Sequence, residues 1–237
     1  MKATCLILAG GKGTRISSIL GATPKCLATV NHRPFLRWQV SSLIMAGVDQ
    51  IVLSLGHGAN LVLEEIGKAW AKEININSVV EPEPLGTGGA IRYAWKFIEN
   101  SEILILNGDT FLGNRLDGMF LPLEKSENNL MRMGLVRVKD GARFGAVETD
   151  QRGLVTGFSE KMVAGDVLVN AGIYRMHRDA LRFNQLDKFS LENDLIPRLV
   201  LNRSVSSSFI EGPFIDIGTP DSLGQANAEW FRFTKNK

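Results

Sequence analysis

The chain opens with an apolar stretch that runs straight into glycines and is soon followed by a lysine: Thr4-Cys5-Leu6-Ile7-Leu8-Ala9-Gly10-Gly11-Lys12-Gly13-Thr14-Arg15, then Pro24-Lys25. The apolar part predicts a buried strand. Glycines directly after a strand let backbone N–H groups approach an anion without obstruction by a Cβ atom, and Arg15 and Lys25 add positive charge. The stretch therefore predicts a polyphosphate site at the end of the first strand.

Two common phosphate-binding motifs do not fit this stretch. In a P-loop counted from Gly10, Arg15 stands where the second glycine is required. In a dinucleotide fingerprint counted from Gly11, Ile16 replaces the third glycine. A glycine-rich turn with solvated charges would explain any two of these residues, but not the whole set.

Composition and charge limit the class of protein. The 237 residues are 44% hydrophobic, so the chain can bury the core of one large α/β domain, although its length would also permit two small ones. A net charge of +2 gives no long-range field for nucleic acid, while small anionic ligands are compatible with it. No apolar run approaches the ~20 residues of a membrane span. Cys5 and Cys26 show neither metal-site nor disulfide spacing, which favours the reducing cytoplasm.

Short apolar runs alternate with helical periodicity in the first half of the chain, and this alternation predicts a parallel sheet. In the second half, glycines interrupt shorter strands irregularly, which predicts an appended region of mixed sheet. The predicted helices are 35–46, 59–70 and 88–98, and the predicted strands are 4–9, 50–54, 76–80, 103–107, 133–138, 146–149, 167–175 and 206–210.

Two aspartates follow apolar strands, where open α/β sheets place their ligands. Asp109 ends Asn107-Gly108-Asp109, and Asp216 lies within Ile215-Asp216-Ile217-Gly218. Mg²⁺ usually takes one or two protein carboxylates together with phosphate oxygens and water. An Asn-Gly-Asp sequence alone is usually only a turn. Its occurrence together with the glycine stretch and a second strand-end aspartate predicts a magnesium site.

These motifs, in this order, resemble the signatures of the sugar-phosphate nucleotidyltransferases, and the resemblance extends from Leu6 to about Asp221. It implies a Rossmann-like three-layer α/β/α fold with a mostly parallel mixed central sheet and a small β-rich sugar-binding excursion. It also implies an enzyme that joins a nucleoside triphosphate to a sugar 1-phosphate and releases pyrophosphate. We expect a single domain, with residues 1–112 mainly binding the nucleotide and residues 113–237 mainly binding the sugar phosphate.

The resemblance assigns roles residue by residue. Four residues match the catalytic set, Arg15, Lys25, Asp109 and Asp216, and the two aspartates match the ligands of Mg²⁺. The sugar-phosphate site matches Gly145, Glu160, Lys161 and Asn170. The nucleotide site matches Leu8, Ala9, Gly10, Gly11, Gly13, Thr14, Glu81, Pro84, Leu85, Gly86, Thr87 and Gly108.

Glu81 stands where the family places a side chain that contacts the nucleobase. A carboxylate only accepts hydrogen bonds, so it complements the paired N1–H and N2–H₂ donors of guanine, whereas uracil or thymine offers a single imide N–H. The residue therefore favours GTP. The alternative is that Glu81 and Glu83 only stabilise the start of the following helix, where acidic residues are common.

Within the family, the chain looks most like the D-glycero-D-manno-heptose 1-phosphate guanylyltransferases, which supply nucleotide-sugars for surface polysaccharides. Mannose, glucose or N-acetylmuramate 1-phosphate as acceptor, and UTP, CTP or dTTP as donor, stay open. A non-catalytic regulatory subunit that binds nucleotide-sugars is the alternative of another class. Cys26 has no His or Asp near it in sequence that would activate its thiol. The sequence does not determine whether the protein forms a homo-oligomer.

Overall fold

The computed structural model describes residues 3–124, 128–139, 146–159 and 166–234. The chain forms two compact units that interleave along the sequence. The first unit comprises Met1–Pro84, Leu106–Arg115 and Gly212–Lys237, and the second comprises Leu85–Ile105 and Leu116–Glu211. The predicted division of a single domain into a mainly nucleotide-binding part, residues 1–112, and a mainly sugar-phosphate-binding part, residues 113–237, stays a prediction.

The strands, in chain order, are β1 (Thr4–Leu8), β2 (Thr29–Val30), β3 (Arg33–Pro34), β4 (Gln50–Leu55), β5 (Ile76–Val80), β6 (Glu102–Asn107), β7 (Thr110–Phe111), β8 (Met131–Val138), β9 (Ala146–Thr149), β10 (Val155–Ser159), β11 (Val167–His177), β12 (Val205–Phe209) and β13 (Ile215–Asp216). All eight strands predicted from the sequence are present, with shifts of up to two residues at their ends. The additional strands are short, except for β10. A glycine interrupts the sequence of β10, so the alternation of apolar and polar residues that predicts a strand is not apparent there.

The α-helices are α1 (Ser17–Leu20), α2 (Phe35–Met45), α3 (Ala59–Ile66), α4 (Gly86–Ala94), α5 (Asp117–Phe120), α6 (Ile196–Leu201) and α7 (Pro220–Thr234). Short 3₁₀ helices span Lys25–Leu27, Ala69–Ala71, Trp95–Phe97 and Arg178–Phe183, and a single π turn spans Leu191–Leu195. The helix predicted over 59–70 ends at Ile66, and α7 was not predicted. Throughout the described ranges, no helix combines the length and the apolar character needed to cross a bilayer.

Parallel strands dominate the first unit, as the alternation in its sequence predicts. β1 pairs with β4 in register from Thr4↔Gln50 onward, and β4 pairs in parallel with β5. Three of the five β1 side chains are fully buried, which explains why its sequence is a continuous apolar run. β6 ends beside β1, where the Gly108 N–H donates to the Leu8 carbonyl at 3.0 Å.

The C-terminal helix completes the core of the first unit. Trp230 of α7 is fully buried and packs against Trp38 and Phe111, with ring centroids 4.7 and 5.0 Å apart. Aromatic pairs at such distances contribute beyond their buried area. The C-terminal helix therefore packs against residues from earlier in the chain. This packing holds the segment just before the helix, which contains Asp216.

The second unit holds the mixed sheet predicted from the irregular half of the sequence. β11 pairs antiparallel with β8 and with β9, β9 pairs antiparallel with β10, and β12 runs parallel to β8. The register between β11 and β8 shifts between Asn170 and Tyr174. Such a bulge bends the strand and redirects its side chains. The prediction of a mixed central sheet is confirmed.

Candidate active site

The glycine stretch leaves β1 and passes over the end of β4. The Ala9 N–H donates to the Ser54 carbonyl at 2.9 Å, and the His57 N–H donates to the Gly10 carbonyl at 3.2 Å. A Cβ atom on Gly10 would lie 2.6 Å from Oε1 of Glu81 and 3.1 Å from the Gly56 nitrogen, so a larger residue there would displace the Glu81 carboxylate. Gly11, Lys12, Thr14 and Arg15 are exposed. The loop is thus held at its base while its tip faces solvent, as an anion site requires.

Lys25 and Asp109 form an ion pair beside this loop. The Lys25 Nζ lies 2.5 Å from Oδ2 of Asp109, and each side chain is only 18% exposed. Lys25 begins a 3₁₀ helix directly after Pro24, whose fixed φ sets the entry of the chain. The pair joins residues that are 84 positions apart in the sequence. The Asp109 carboxylate therefore has a cationic partner from a distant part of the chain.

The backbone brings Asp216 next to Asp109. β7 and β13 pair antiparallel with Thr110 opposite Asp216, and the Ile217 N–H donates to the Asp109 carbonyl at 3.0 Å. The two aspartates are therefore diagonal neighbours on adjoining segments. The Asp216 Oδ1 accepts a hydrogen bond from the Gly218 N–H at 2.9 Å, which orients this carboxylate.

The donor set fits a hard divalent cation. Asp109 and Asp216 offer carboxylate oxygens, the ligand type that Mg²⁺ prefers. Across all described residues, including this site, no group of three or more His, Cys, Asp or Glu side chains could hold a metal ion. A cation held by the two aspartates would therefore complete its shell with substrate phosphate oxygens and water, which is the usual behaviour of Mg²⁺.

Cys26 lies next to Lys25 but is not equipped to react. Its side chain is 2% exposed, and burial raises the pKa of its thiol to about 12. A thiol is nucleophilic only as its thiolate. Cys26 is therefore neutral near pH 7, in agreement with the inference that it has no catalytic role.

Glu81 follows β5 and folds back over the base of the glycine loop. Its N–H donates to the Leu55 carbonyl at 2.7 Å, which extends the pairing of β4 with β5 by one residue. Its Oε1 accepts a hydrogen bond from Oγ of Ser54 at 3.2 Å. The predicted base-contacting carboxylate thus lies beside Gly10 of the predicted phosphate loop.

The segment Leu85-Gly86-Thr87 is anchored within the second unit by residues from far along the chain. Gly86 has a φ of +75°, and the Gly88 and Gly89 N–H groups donate to the Phe189 carbonyl at 3.0 and 3.2 Å. The Thr87 hydroxyl donates to Oε2 of Glu192 at 2.7 Å and accepts from the Leu191 N–H at 2.8 Å. The start of α4 is therefore held in one conformation, and Pro84, just before it, is exposed.

Only one residue of the predicted sugar-phosphate site is described. Asn170 accepts a hydrogen bond from the Gly172 N–H at 3.0 Å and donates to the Tyr174 hydroxyl at 2.6 Å. Gly145, Glu160 and Lys161 lie outside the described residues. The sugar-phosphate site stays a prediction.

Three supporting residues were missed by the sequence interpretation: Ser54, Phe189 and Glu192. Ser54 left a weak signal, because it is a polar residue inside an otherwise apolar strand end, Ile51-Val52-Leu53-Ser54-Leu55. Phe189 and Glu192 left none, since a Phe and a Glu in an irregular segment are unremarkable. All of them act through contacts with residues distant in the sequence.

The chain belongs to the nucleotidyl transferase family, because the model of that family matches residues 4–231. It is 35% identical, over 91% of its length and 95% of the relative's, to a D-glycero-alpha-D-manno-heptose 1-phosphate guanylyltransferase of Campylobacter jejuni. It is 29% identical to a mannose-1-phosphate guanylyltransferase of Mycobacterium tuberculosis, over 96% of this chain and 64% of that relative.

A solved structure agrees with this assignment. HddC from Yersinia pseudotuberculosis, complexed with GMP-PN, superimposes with a TM-score of 0.83 at 31% identity, covering 96% of this chain and 99% of that one. The predicted Rossmann-like fold of the nucleotide-diphospho-sugar transferase type is thereby confirmed.

Proposed function

We propose that this protein transfers the GMP moiety of GTP to D-glycero-D-manno-heptose 1-phosphate, giving the GDP-sugar and pyrophosphate. The observations that support the proposal are the Lys25–Asp109 ion pair and the backbone pairing that makes Asp216 a neighbour of Asp109, in a chain that is 35% identical to a guanylyltransferase for this sugar phosphate. Glu81, adjacent to the loop, supports guanine as the base.

The chemistry requires positioning and charge neutralisation rather than a general base. An oxygen of the sugar 1-phosphate, already anionic at neutral pH, attacks the α-phosphorus of GTP in line, and pyrophosphate leaves. Lys25 would neutralise charge on the reacting phosphates, and Lys161 would do the same for the sugar phosphate. Arg15 and the N–H groups of the glycine loop would receive the charge that develops on pyrophosphate.

Members of this family generally use a divalent metal ion, and we infer that the ion is Mg²⁺, held by Asp109 and Asp216. When bound, it supplies positive charge at the α-phosphate oxygens. The Lys25 ammonium contacts Asp109, one of the two proposed ligands of the ion.

Mannose 1-phosphate is the second candidate acceptor, because the mycobacterial relative that bears this name matches nearly the whole chain. Heptose is favoured because the Campylobacter relative is more similar and has almost the same length. A non-catalytic role is disfavoured, since Arg15, Lys25, Asp109 and Asp216 are all retained.

The test is a matrix of GTP, UTP, CTP and dTTP against heptose, mannose and glucose 1-phosphates, with Mg²⁺ and pyrophosphate release as readout. We expect the highest kcat/KM for GTP with the heptose phosphate. Higher turnover with mannose 1-phosphate would favour the second candidate. Absence of pyrophosphate in every combination would refute the enzymatic proposal.

A further inference from the structure

Gln39 of α2 is a buried amide that holds the turn containing Asp109. Its side chain is 1% exposed. Its Nε2 donates to the Asn107 carbonyl at 3.0 Å and to the Thr110 carbonyl at 2.7 Å. Asp109 lies between these two acceptors in the sequence, so one amide group joins the end of β6 to the start of β7. Because both acceptors are carbonyls, only the NH₂ end of the amide can face them.

The other end of the same amide is unfavourable for stability. Oε1 of Gln39 is buried and accepts no hydrogen bond from any residue that the structure describes. A buried acceptor without a partner is costly, whereas an apolar side chain of similar length, such as that of Met, has no such atom. Packing alone therefore does not account for an amide at this position. Its two donors do.

The turn at Asp109 is held from another direction by the segment that contains Asp216. The Ile217 N–H donates to the Asp109 carbonyl at 3.0 Å. Thr110, the second acceptor of the amide, lies opposite Asp216 in the pairing of β7 with β13. Gln39 therefore bonds to the residue that directly follows one predicted metal ligand and lies opposite the other.

The same helix also contacts the segment that contains Lys25. The Phe35 N–H, at the start of α2, donates to the Ala28 carbonyl at 2.9 Å. The Ala28 N–H in turn donates to the Lys25 carbonyl at 3.0 Å. One helix thus supports both segments that contribute to the Lys25–Asp109 ion pair.

We infer that Gln39 is a positioning residue for the proposed reaction, which fixes the turn after β6 so that Asp109 and Asp216 bind one divalent cation together. The inference rests on the proposed function, in which these two aspartates hold Mg²⁺. Replacing residues that orient metal ligands through hydrogen bonds typically costs ~10–100-fold in metal affinity or activity. The amide should therefore affect metal affinity more than the chemical step.

Gln39→Met is the variant that tests the inference, because it keeps an unbranched side chain of similar length and removes both donors. The first readout is the binding of Mn²⁺ alone, measured from the loss of the electron paramagnetic resonance signal of the free ion. We expect the Kd for Mn²⁺ to rise about tenfold. Asp109→Asn should weaken the same binding more strongly, and it identifies the site that is being measured.

The second readout is the Mg²⁺ dependence of pyrophosphate release. In Gln39→Met the half-saturating Mg²⁺ concentration should rise about tenfold, and kcat should recover towards the native value at saturating Mg²⁺. A loss of folded protein would instead lower kcat at every Mg²⁺ concentration. The matched control is Ser42→Ala. Ser42 is also buried on α2, and its Oγ donates to the Gly113 carbonyl, beyond the turn. This control should leave both readouts unchanged.

Native Mn²⁺ affinity and a native Mg²⁺ titration in folded Gln39→Met would overturn the inference, as would an equal shift in Ser42→Ala. If Gln39→Met does not fold, Gln39→Leu replaces it, and failure of both to fold would assign the amide to folding alone. Wild-type protein without Mn²⁺ binding that depends on Asp109 would also overturn the inference. Mn²⁺ binding that depends on Asp109 and Gln39, without pyrophosphate release, would refute the proposed reaction and leave the role of Gln39 supported.

Discussion

At the level of single residues, Lys25 is a predicted catalytic residue whose ammonium contacts a second predicted site residue, Asp109, at 2.5 Å. We expect Lys25→Ala to lower kcat by ~10²–10³, as the loss of a preorganised charged donor does in other enzymes. Lys72→Ala, which removes an exposed lysine of the same unit, is the control. Steady-state pyrophosphate release measures both variants. A Lys25→Ala enzyme with native kcat would exclude the assigned role.

Asp216 offers a test of the proposed metal site, with a substitution that keeps the local hydrogen bond. Asn at this position keeps an oxygen that can accept from the Gly218 N–H, but removes the negative charge. We expect Asp216→Asn to shift the Mg²⁺ dependence of pyrophosphate release to higher concentration, because a hard cation binds an amide more weakly than a carboxylate. Asp221→Asn, at the exposed start of α7, is the control. A native Mg²⁺ titration curve for Asp216→Asn would contradict the proposed ligand.

At the scale of structural elements, the start of α4 depends on the π turn that contains Glu192. Single π turns in proteins are frequently found at functional sites. Oε2 of Glu192 accepts from the hydroxyl groups of Thr87, at 2.7 Å, and of Ser190, at 3.2 Å. One carboxylate oxygen thus joins the predicted nucleotide segment to the turn. The predicted nucleotide-binding role of Thr87 is therefore best tested together with Glu192.

We predict that Glu192→Ala raises the KM for GTP about tenfold, because it removes the hydrogen bond that holds Thr87 and the weaker one from Ser190. Thr87→Val removes the bond to Glu192 and also the bond from the Leu191 N–H, so its effect should be at least as large. Thr87→Ser keeps the hydroxyl for both bonds and should resemble the native enzyme. KM values from initial rates measure all three variants. If Thr87→Val and Thr87→Ser behave alike, the contact with Glu192 has no role in nucleotide binding.

At the level of the complete fold, Glu65 joins parts of the first unit through two ion pairs. It is 6% exposed and forms ion pairs with Arg37 at 2.6 Å and Lys68 at 2.7 Å, and it also accepts from the Trp70 indole. Burial alone would raise the pKa of Glu65, but the hydrogen bonds from Lys68 and Arg37, with their charges, outweigh it and lower this pKa. A lowered pKa in the folded state means that Glu65 stabilises the fold above its unfolded pKa of about 4.3.

We therefore expect the contribution of Glu65 to the free energy of unfolding to be complete near pH 7 and to decline as pH falls below about 4.3. Glu65→Gln should cost about 2 kcal/mol near neutral pH, the value of a hydrogen bond to a charged group. The difference between variant and native protein should shrink as the pH approaches 3. Urea unfolding at a series of pH values measures it. A difference that does not vary with pH would contradict the ionised role of Glu65.

The glycine loop after β1 and the position of Asp109 just after β6 could be predicted from the sequence. These features depend on local patterns, because an apolar run fixes a buried strand and the residue after it must lie at the sheet edge. The parallel core followed by a mixed sheet could be predicted for the same reason. The short strands β7 and β13 could not, since two residues carry no periodicity.

Which of the predicted site segments lie together depends on tertiary packing. The antiparallel pairing of Thr110 with Asp216 makes the two aspartates neighbours, and the bond from Ser54 to Glu81 orients the predicted base-contacting carboxylate. Likewise, Glu192 reaches Thr87 across 105 positions of the chain. Such contacts depend on how distant segments pack, and that packing is not encoded in the residue type or spacing of either segment alone.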